Sequence, residues 1–413
     1  MPNFFRSDPK YLPEIPTIIE EIEEFPPLEE ADKTEEILKE GDNIFIGLSQ
    51  KDKEWFRCFV DGTYRIARTA TYGGVPIYLS SITAVLTERT PEKKLREVGL
   101  KKQFTVVLFP FDAFSETFRN SREGSKIKEF RDYLKEEYKA IPDTEFRQRD
   151  ALSVIQSLDS ANIWIFSDIT YKGLKKPQED IKSDNIMDEG KIYSRVNARV
   201  RVLMSILETA NLKFFREKLE NNAYREGKED WVLIDGTLNN YRKFFCADTN
   251  QSEYFPMFNK VVGFIKTIRR QPNIDMLNIY RLQEREFIVS IAGNSDLEKV
   301  MIEETQENEL IGENEWGFIY LRFRKPFGYP PEFLTSRGIV KLQFRVDEDI
   351  KGNVPKIKEK ALKIVSLAVK EKFPLPSDKS RIWKEAVAIE ETEKIAKSRL
   401  SSKEWLRNRG WTL

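Results

Sequence analysis

The sequence predicts an α/β protein, and three observations carry this prediction. Short segments rich in β-branched and aromatic residues, typical of strands, recur along the chain. Segment 193–215 places apolar residues at helical spacing, and 356–372 and 382–400 predict two helices joined by a proline turn. Finally, two distant apolar segments, 55–63 and 231–238, both run into Asp-Gly-Thr. Open α/β sheets place their chemistry at such strand ends.

The composition excludes several classes of chemistry. Among the 413 residues, Lys plus Arg and Asp plus Glu each number 68, so no global basic field exists to bind nucleic acid, and any such contact must be local. There is no histidine, which excludes His-dependent nucleophiles, His-ligated zinc and histidine general bases. Carboxylate, lysine and tyrosine chemistry remains, and it favours oxygen-bound Mg²⁺ or Mn²⁺.

Cysteine usage and hydropathy indicate where the protein works. The two cysteines, Cys58 and Cys246, lie in or near predicted core segments and cannot form a zinc cluster. No run of 18 apolar residues occurs, and the first residues lack the apolar core of a secretory signal. We therefore expect a cytoplasmic protein without contact to a membrane.

The amino-terminal residues 1–42 are acidic and interrupted by prolines, and we interpret them as an arm that is either solvated or a docking element. Segment 33–40 predicts a short helix within it. From residue 43 to 413 we expect one catalytic domain that begins with antiparallel strands and a turn at Gly73-Gly74. The predicted strands of this first part are 44–48, 55–60, 64–71 and 75–86.

Segment 100–190 is predicted to be an inserted, mainly helical subdomain. It contains a buried strand at 105–109, charged residues at helical spacing over 122–160 and a further strand near 163–166. We assign no chemistry to it. Beyond the second Asp-Gly-Thr, strands are predicted at 261–267, 317–324 and 338–346, and the helices of 355–413 complete the chain.

The two Asp-Gly-Thr tripeptides provide the first candidate site residues, Asp61 and Asp235. A single Asp-Gly is more often a hairpin turn than a site. Two copies after apolar strands, far apart in sequence, instead favour two carboxylates brought together at one sheet edge, with each glycine allowing a sharp turn. A pair of hard divalent cations requires such an arrangement, so we predict two Mn²⁺ or Mg²⁺ ions.

Two further residues are candidates for the same site. Glu208 lies among apolar neighbours in the predicted helix 193–215, where an ionised carboxylate needs a cation or hydrogen bonds. Alternatively, Glu208 faces solvent or pairs with an arginine. Lys266 lies at the carboxyl end of the strand predicted at 261–267 and is placed to neutralise a phosphate under attack. Alternatively, Lys266 forms a structural ion pair with one of the aspartates.

Candidate nucleic-acid contacts come from two groups of arginines. Arg65 and Arg68 follow the first Asp-Gly-Thr, and Arg269 and Arg270 lie near Tyr280 in the densest basic and aromatic stretch. Interleaved basic and aromatic residues suit single strands, whose bases stack and whose phosphates meet arginine. An exposed strand and an ordinary amphipathic helix surface are the respective alternatives.

The ordered set of motifs at 59–63, 232–238 and 262–266 resembles the NurA nuclease family over residues 44 to 413. The resemblance implies an RNase H-like core, in which a mixed β-sheet is flanked by helices, and a homodimer with a central channel. It also implies Mn²⁺-dependent single-strand endonuclease and 5′→3′ exonuclease activity on DNA, together with a HerA-like hexameric ATPase in DNA end processing. By position, Asp61 and Asp235 match the metal-binding aspartates of the family, Glu208 its helix glutamate and Lys266 its lysine.

The chain departs from the family in its last helices, where members commonly carry a histidine or an acidic residue. Asp378, Glu385 and Glu390 are the acidic candidates here. The departure suggests a divergent member, working in end processing or in genome defence. Our first hypothesis is a two-metal phosphodiesterase. The second is a catalytically weak DNA-binding platform for a motor ATPase, and a third, less favoured, is guided nucleic-acid binding as in PIWI-like domains.

Overall fold

A computed structural model shows the fold of the chain. It describes residues 35–37, 54–111, 116–138, 151–158, 160–168, 189–221, 230–238, 258–266, 280, 282, 286–292, 316–323, 338–346, 353–372 and 386–409. Within these residues the strands are β1 (Glu35–Ile37), β2 (Cys58–Tyr72), β3 (Val75–Arg89), β4 (Leu95–Glu97), β5 (Gln103–Phe109), β6 (Asn162–Asp168), β7 (Val232–Asp235), β8 (Val261–Ile265), β9 (Phe287–Ala292), β10 (Trp316–Arg322) and β11 (Ile339–Arg345). The helices are α1 (Glu116–Arg119), α2 (Arg122–Glu137), α3 (Ala151–Gln156), α4 (Glu189–Asn221), α5 (Val354–Lys370), α6 (Val387–Arg399) and α7 (Lys403–Arg409).

The eleven strands of the described part of the chain form one mixed sheet. Its order is β1-β9-β10-β11-β8-β7-β2-β3-β5-β6, and β4 pairs with β3 beside this path. The pairs β2–β7, β7–β8 and β5–β6 are parallel, whereas the others are antiparallel. The predicted α/β fold, a mixed sheet flanked by helices, is therefore confirmed, and the arrangement is compatible with an RNase H-like fold.

Strand β2 differs from the prediction at the first Asp-Gly-Thr. The backbone does not turn at Gly62, because β3 pairs with β2 along its length and holds Gly62 opposite Ala84. Two predicted strands, 55–60 and 64–71, are thus one strand. The turn after β2 lies at Gly73-Gly74, as predicted, where φ is +56° and +82°. Both values lie in the left-handed region that glycine adopts without strain.

The two faces of the sheet carry different helices, and side chains on β2 alternate between them. On the first face, here called the α4 face, the Tyr64 hydroxyl donates to Asn197 Oδ1 of α4 at 2.5 Å. On the second, the α6 face, Arg65 Nη1 donates to the carbonyl of Ser401, between α6 and α7, at 2.7 Å. Two main clusters form the core. One joins β2, β3, β5 and β6 to α2, α3 and α4, and the other joins the strands from β7 to β11 to α5 and the start of α6, which then runs along β2 and β3.

Several predicted elements are confirmed, and others need correction. Segment 100–190 contributes strands β5 and β6 to the common sheet in addition to helices α1 to α3. The helix predicted at 33–40 is wrong, because Glu35–Ile37 is a strand that pairs with β9. Strands β4 and β9 and helices α1 and α7 were not predicted. The strand predicted at 44–48 and most of the arm lie outside the described residues. No helix among the described residues is long and apolar enough to span a membrane.

A buried ion pair joins β3 to the end of α5. Arg89 donates to both carboxylate oxygens of Glu371, at 2.8 and 2.7 Å, and its guanidinium lies 5.0 Å from the ring centres of Trp55 and Phe59. Only 1 % of the Glu371 side chain is exposed. A charge this deeply buried relies on its partner, since removal of one member leaves the other uncompensated.

We therefore expect Arg89→Met to lower the free energy of unfolding by about 3–5 kcal/mol, the cost typical of a broken buried pair. Urea denaturation followed by circular dichroism measures this. Lys394→Ala is the matched control, because Lys394 is 66 % exposed and pairs with Glu390, at 2.9 Å, as an i,i+4 neighbour on the same helix. Its loss should cost at most about 0.5 kcal/mol. Equal losses for the two variants would contradict a structural role of the buried pair.

Candidate functional site

The candidate site lies where β7 ends beside the continuing strand β2. The two strands are parallel, with Val60 opposite Ile234, so the next residue in each is a predicted aspartate, Asp61 and Asp235. Neighbouring strands are about 4.8 Å apart, and successive residues in the same register share a face. After Asp235 the chain leaves the sheet at Gly236, whose φ of +102° is the turn predicted for the second tripeptide. The structure thus brings the two aspartates together.

A cavity of about 590 Å³ opens at this point. Its walls are residues 61–64 of β2, residues 235–237 of the β7 turn, four residues of α4 and one residue of α6. The α4 residues are Arg201, Met204, Ser205 and Glu208, and the α6 residue is Glu393. Four carboxylates, from Asp61, Glu208, Asp235 and Glu393, therefore line one cavity between the helices of the two sheet faces.

Gly62 allows α4 to bring Glu208 against the sheet. A Cβ atom at position 62 would lie 2.5 Å from Glu208 Oε1 and 2.6 Å from Met204 Cγ, closer than real Cβ contacts. The glycine of the first tripeptide therefore serves a close approach instead of a turn. Glu208 is only 3 % exposed, so it does not face solvent as the alternative interpretation proposed. Thus the carboxylate of α4 reaches the backbone next to Asp61.

Asp61 lies in surroundings that disfavour its ionised form. It is 4 % exposed, and its Oδ2 atom has no hydrogen-bond partner. Burial, followed by the negative charges of Asp235 and Glu208, raises the pKa of Asp61 well above its usual value, and Lys266 offsets only part of this. A cation placed among these carboxylates would reverse that balance, because it favours their ionised forms.

Lysines hold the two remaining carboxylates. Lys266 Nζ donates to Asp235 Oδ2 at 3.0 Å, which is the ion pair considered as the alternative role of Lys266. On α6, Lys397 Nζ lies 2.7 Å from Glu393 Oε1. Lys266 lies directly after β8, as predicted, so it is both the partner of an aspartate and a cation at the cavity.

The cavity fits a divalent cation in its chemistry. All four carboxylates offer oxygen donors, which suit Mg²⁺ or Mn²⁺, and Asp61 presents a buried oxygen without a partner. As the side chains stand, no three Asp, Glu, Cys or His residues in the described part of the chain are arranged to hold a metal. Asp235 and Glu393 are engaged by lysines, so binding a cation would require them to exchange these partners.

A glutamine holds the turn that carries Asp235, and sequence analysis did not identify it. Gln343 of β11 is fully buried, and its Oε1 accepts hydrogen bonds from Thr237 Oγ1 at 2.7 Å and from the Leu238 amide at 2.9 Å. The Gly236 amide donates to the Phe264 carbonyl at 2.9 Å. These bonds fix the backbone immediately after Asp235.

The predicted arginines are placed differently from one another. Arg65 faces the α6 face, where it binds the Ser401 carbonyl, and it does not line the cavity. Arg68 is exposed, and its Nη2 donates to Thr71 Oγ1 at 3.2 Å. Arg269 and Arg270 lie outside the described residues. The cavity instead contains Arg201, which sequence analysis did not single out.

The acidic residue of the last helices that reaches the cavity is Glu393. Asp378 and Glu385 lie outside the described residues, and Glu390 pairs with Lys394 away from the cavity lining. A signal for Glu393 existed in the sequence. It follows Ile389 by four residues on the stripe of α6 that also carries the buried residues Thr392 and Ala396. A carboxylate on a buried helical stripe needs a specific partner.

The raised pKa of Asp61 has a consequence for stability that can be measured without activity. Since this pKa is higher in the folded protein than in the unfolded chain, ionisation of Asp61 destabilises the fold, increasingly as pH rises from about 4 through the folded pKa. In chelator, Asp61→Asn should therefore raise the unfolding temperature at pH 8, and the gain should shrink as pH falls. Asp132→Asn, at an exposed aspartate of α2, should show no such trend. An Asp61→Asn protein that is less stable at pH 8 would refute this assignment.

No protein-family model and no curated protein matches the chain. The side chains of the cavity are therefore the basis for assigning a function.

Proposed function

We propose that the protein is a metal-dependent phosphodiesterase that cleaves DNA. The observation that carries this proposal is the buried, unpartnered oxygen of Asp61 in a cavity shared with three further carboxylates. Such a group is costly to bury, and a strongly shifted pKa in a cleft marks a candidate functional site. The resemblance of its motifs to the NurA nucleases supports the same chemistry.

Asp61, Glu208, Asp235 and Glu393 would hold two Mn²⁺ or Mg²⁺ ions. When bound, such ions would supply the Lewis acidity that activates water and stabilises the charge on the leaving oxygen. Of these residues, Asp61 and Glu208 are fixed by burial, whereas Asp235 and Glu393 are only partly buried. The buried pair would determine the position of the ions and the more exposed pair would adjust to them.

The basic side chains at the cavity, Lys266 and Arg201, would have separate roles. Four carboxylates repel a phosphodiester, so the cavity must be neutralised before substrate can enter. If Asp235 were to bind a cation instead of Lys266, the Lys266 ammonium, which now donates to Asp235 Oδ2 at 3.0 Å, would become available to the phosphate. Arg201 lines the same cavity and can donate two parallel hydrogen bonds to phosphate oxygens.

The partners of this activity are proposed from the resemblance alone. They are a second copy of the chain in a homodimer and a HerA-like hexameric ATPase, in DNA end processing or genome defence. A catalytically weak platform for such a motor is the competing proposal. Isothermal titration with Mn²⁺ distinguishes the two, because a platform needs no metal at Asp61.

Substitution of either aspartate tests the activity. Asp61→Asn and Asp235→Asn should each reduce cleavage of 5′- and 3′-labelled single-stranded DNA in Mn²⁺ by at least about 100-fold, because each removes a charged ligand. Both variants should unfold cooperatively, and both should lose the rise in unfolding temperature that Mn²⁺ gives the parent. Cleavage by either variant at the parental rate would refute the assignment.

Two glutamates three residues apart on α6 form a matched pair. Glu393 lines the cavity, whereas Glu390 pairs with Lys394. Glu393→Gln should lower the cleavage rate by about 10- to 100-fold and raise the Mn²⁺ concentration needed for half-maximal activity. Glu390→Gln should leave both values within about twofold. If the two substitutions act alike, α6 contributes no ligand to the site.

A further inference from the structure

We propose that one stripe of α4 forms the path along which a single strand of nucleic acid enters the cavity. The strand path consists of Tyr193, Asn197 and Arg201 of α4, together with Tyr64 of β2. This inference rests on the proposed function for its destination, the carboxylate cavity. It adds the residues that bind the single strand outside the reacting centre.

Helical spacing places the path and the carboxylate on one face of α4. Residues 193, 197, 201, 205 and 208 follow one another at intervals of four, four, four and three, so their side chains lie in one row. The row passes from exposed to buried, since Tyr193 is 49 % exposed, Ser205 is 7 % exposed and Glu208 is 3 % exposed. It is about 22 Å long at 1.5 Å per residue, which is at most about six nucleotides at the stacked spacing of one strand.

Tyr193 offers a rigid ring to a base. Its ring contacts that of Tyr78, which is buried in β3, with the centres 6.3 Å apart and the planes inclined by 55°. The contact with Tyr78 restricts the Tyr193 side chain on one side, while half of it stays open to solvent. A base that stacks on such a ring contributes about 1–3 kcal/mol of binding, largely independently of its identity.

Arg201 is held at the cavity by hydrogen bonds that join helix and sheet. Its Nε donates to the Tyr64 hydroxyl at 3.3 Å, and this hydroxyl donates to Asn197 Oδ1 at 2.5 Å. Arg201 and Tyr64 both line the cavity. A guanidinium oriented in this way is suited to phosphate, because less side-chain freedom is lost when it binds.

The local charge favours a polyanion, although the chain as a whole has no net charge. Residues 189–207, somewhat more than half of α4, contain four basic residues and one acidic residue, and of the basic residues Arg199 is buried against Ser167. Arg68 lies on the same face, exposed and directly opposite Tyr78 on the neighbouring strand. The path is thus basic and aromatic, as single-strand binding sites are.

The size of the cavity selects a single strand over a duplex. A volume of about 590 Å³ lies in the range of pockets for small ligands, which corresponds to one or two nucleotides. Helices of both sheet faces close it, since Glu208 comes from α4 and Glu393 from α6. A strand that reaches the carboxylates must therefore enter without its complement.

Binding in chelator tests the path separately from cleavage. The probe is a fluorescein-labelled 20-nucleotide oligothymidine, and its anisotropy is measured with the full chain in EDTA over a range of salt concentrations. Tyr193→Ala should weaken binding by about 5- to 150-fold, the loss of one base stack. Tyr193→Trp should restore it. Arg201→Gln should weaken binding and reduce the slope of log affinity against log salt by about one, because one phosphate contact is lost.

Matched controls use exposed residues outside the path. Tyr133 of α2 is 52 % exposed and stacks on Phe130, so Tyr133→Ala removes a comparable tyrosine. Arg407 of α7 is an exposed arginine outside the cavity lining, so Arg407→Gln removes a comparable charge. Both should bind the probe like the parent. Unfolding temperatures of all variants verify that they fold.

The outcomes separate the two proposals. If Tyr193→Ala and Arg201→Gln weaken binding of the oligonucleotide in EDTA, but the parent does not cleave it in Mn²⁺, the proposed function is wrong and the path stands. If the parent cleaves and Tyr193→Ala and Arg201→Gln bind like the parent, the path is wrong and the function stands. Binding of duplex alone by the parent would also refute the path. So would binding of polyglutamate as tight as that of the oligonucleotide, if Tyr193→Ala changes neither affinity.

Discussion

The close contact between Glu208 and the backbone at Gly62 is the constraint from which the site follows. Any side chain at position 62 would displace the carboxylate or separate α4 from the sheet, because a Cβ there meets Glu208 Oε1 at 2.5 Å. The contact places a carboxylate from one sheet face next to an aspartate that belongs to the other. Strand β2 makes this possible, since it continues past the end of β7 and leaves its edge beside the cavity.

Charge balance explains the state of the other side chains. Four carboxylates around a cavity of about 590 Å³ repel one another. Lys266 pairs with Asp235, and Lys397 pairs with Glu393, and both pairs reduce this repulsion. Neither lysine pairs with Asp61, whose Oδ2 atom keeps no hydrogen bond. The lysines therefore neutralise the exposed side of the cavity, while the cost of ionisation is concentrated on the buried aspartate.

Sequence patterns predicted the second aspartate better than the first. At Asp235 the apolar run is short and a positive-φ glycine follows, so the strand-and-turn pattern was sufficient. At Asp61 the same tripeptide lies inside a 15-residue strand, because pairing with β3 overrides the local preference of Asp-Gly for a turn. The tripeptide identified a residue that lines the cavity, although the role assigned to its glycine was wrong.

The arginines and Glu393 show what periodicity alone leaves open. Arg65 and Arg68 differ by an odd number of residues, so a strand must place them on opposite faces, and Arg65 faces away from α4. Which face carries the site depends on long-range packing that no local pattern contains. The position of Glu393 at the cavity depends on how α6 crosses β2 and β3. The position of Arg201 depends on its contact with Tyr64, which lies 137 positions away in the sequence.

The cost of burying the Asp61 carboxylate favours a catalytic role over a passive platform. A surface that only threads DNA needs the basic and aromatic stripe of α4, and it gains nothing from a buried carboxylate without a partner. Asp61 destabilises the fold by desolvation, and the Gly62–Glu208 contact does so by requiring a glycine within a strand. Ionisable groups in such unfavourable surroundings are typical of functional sites, where a ligand can offset the cost. A cation shared by Asp61 and Glu208 would do so, and it is also what phosphodiester hydrolysis requires.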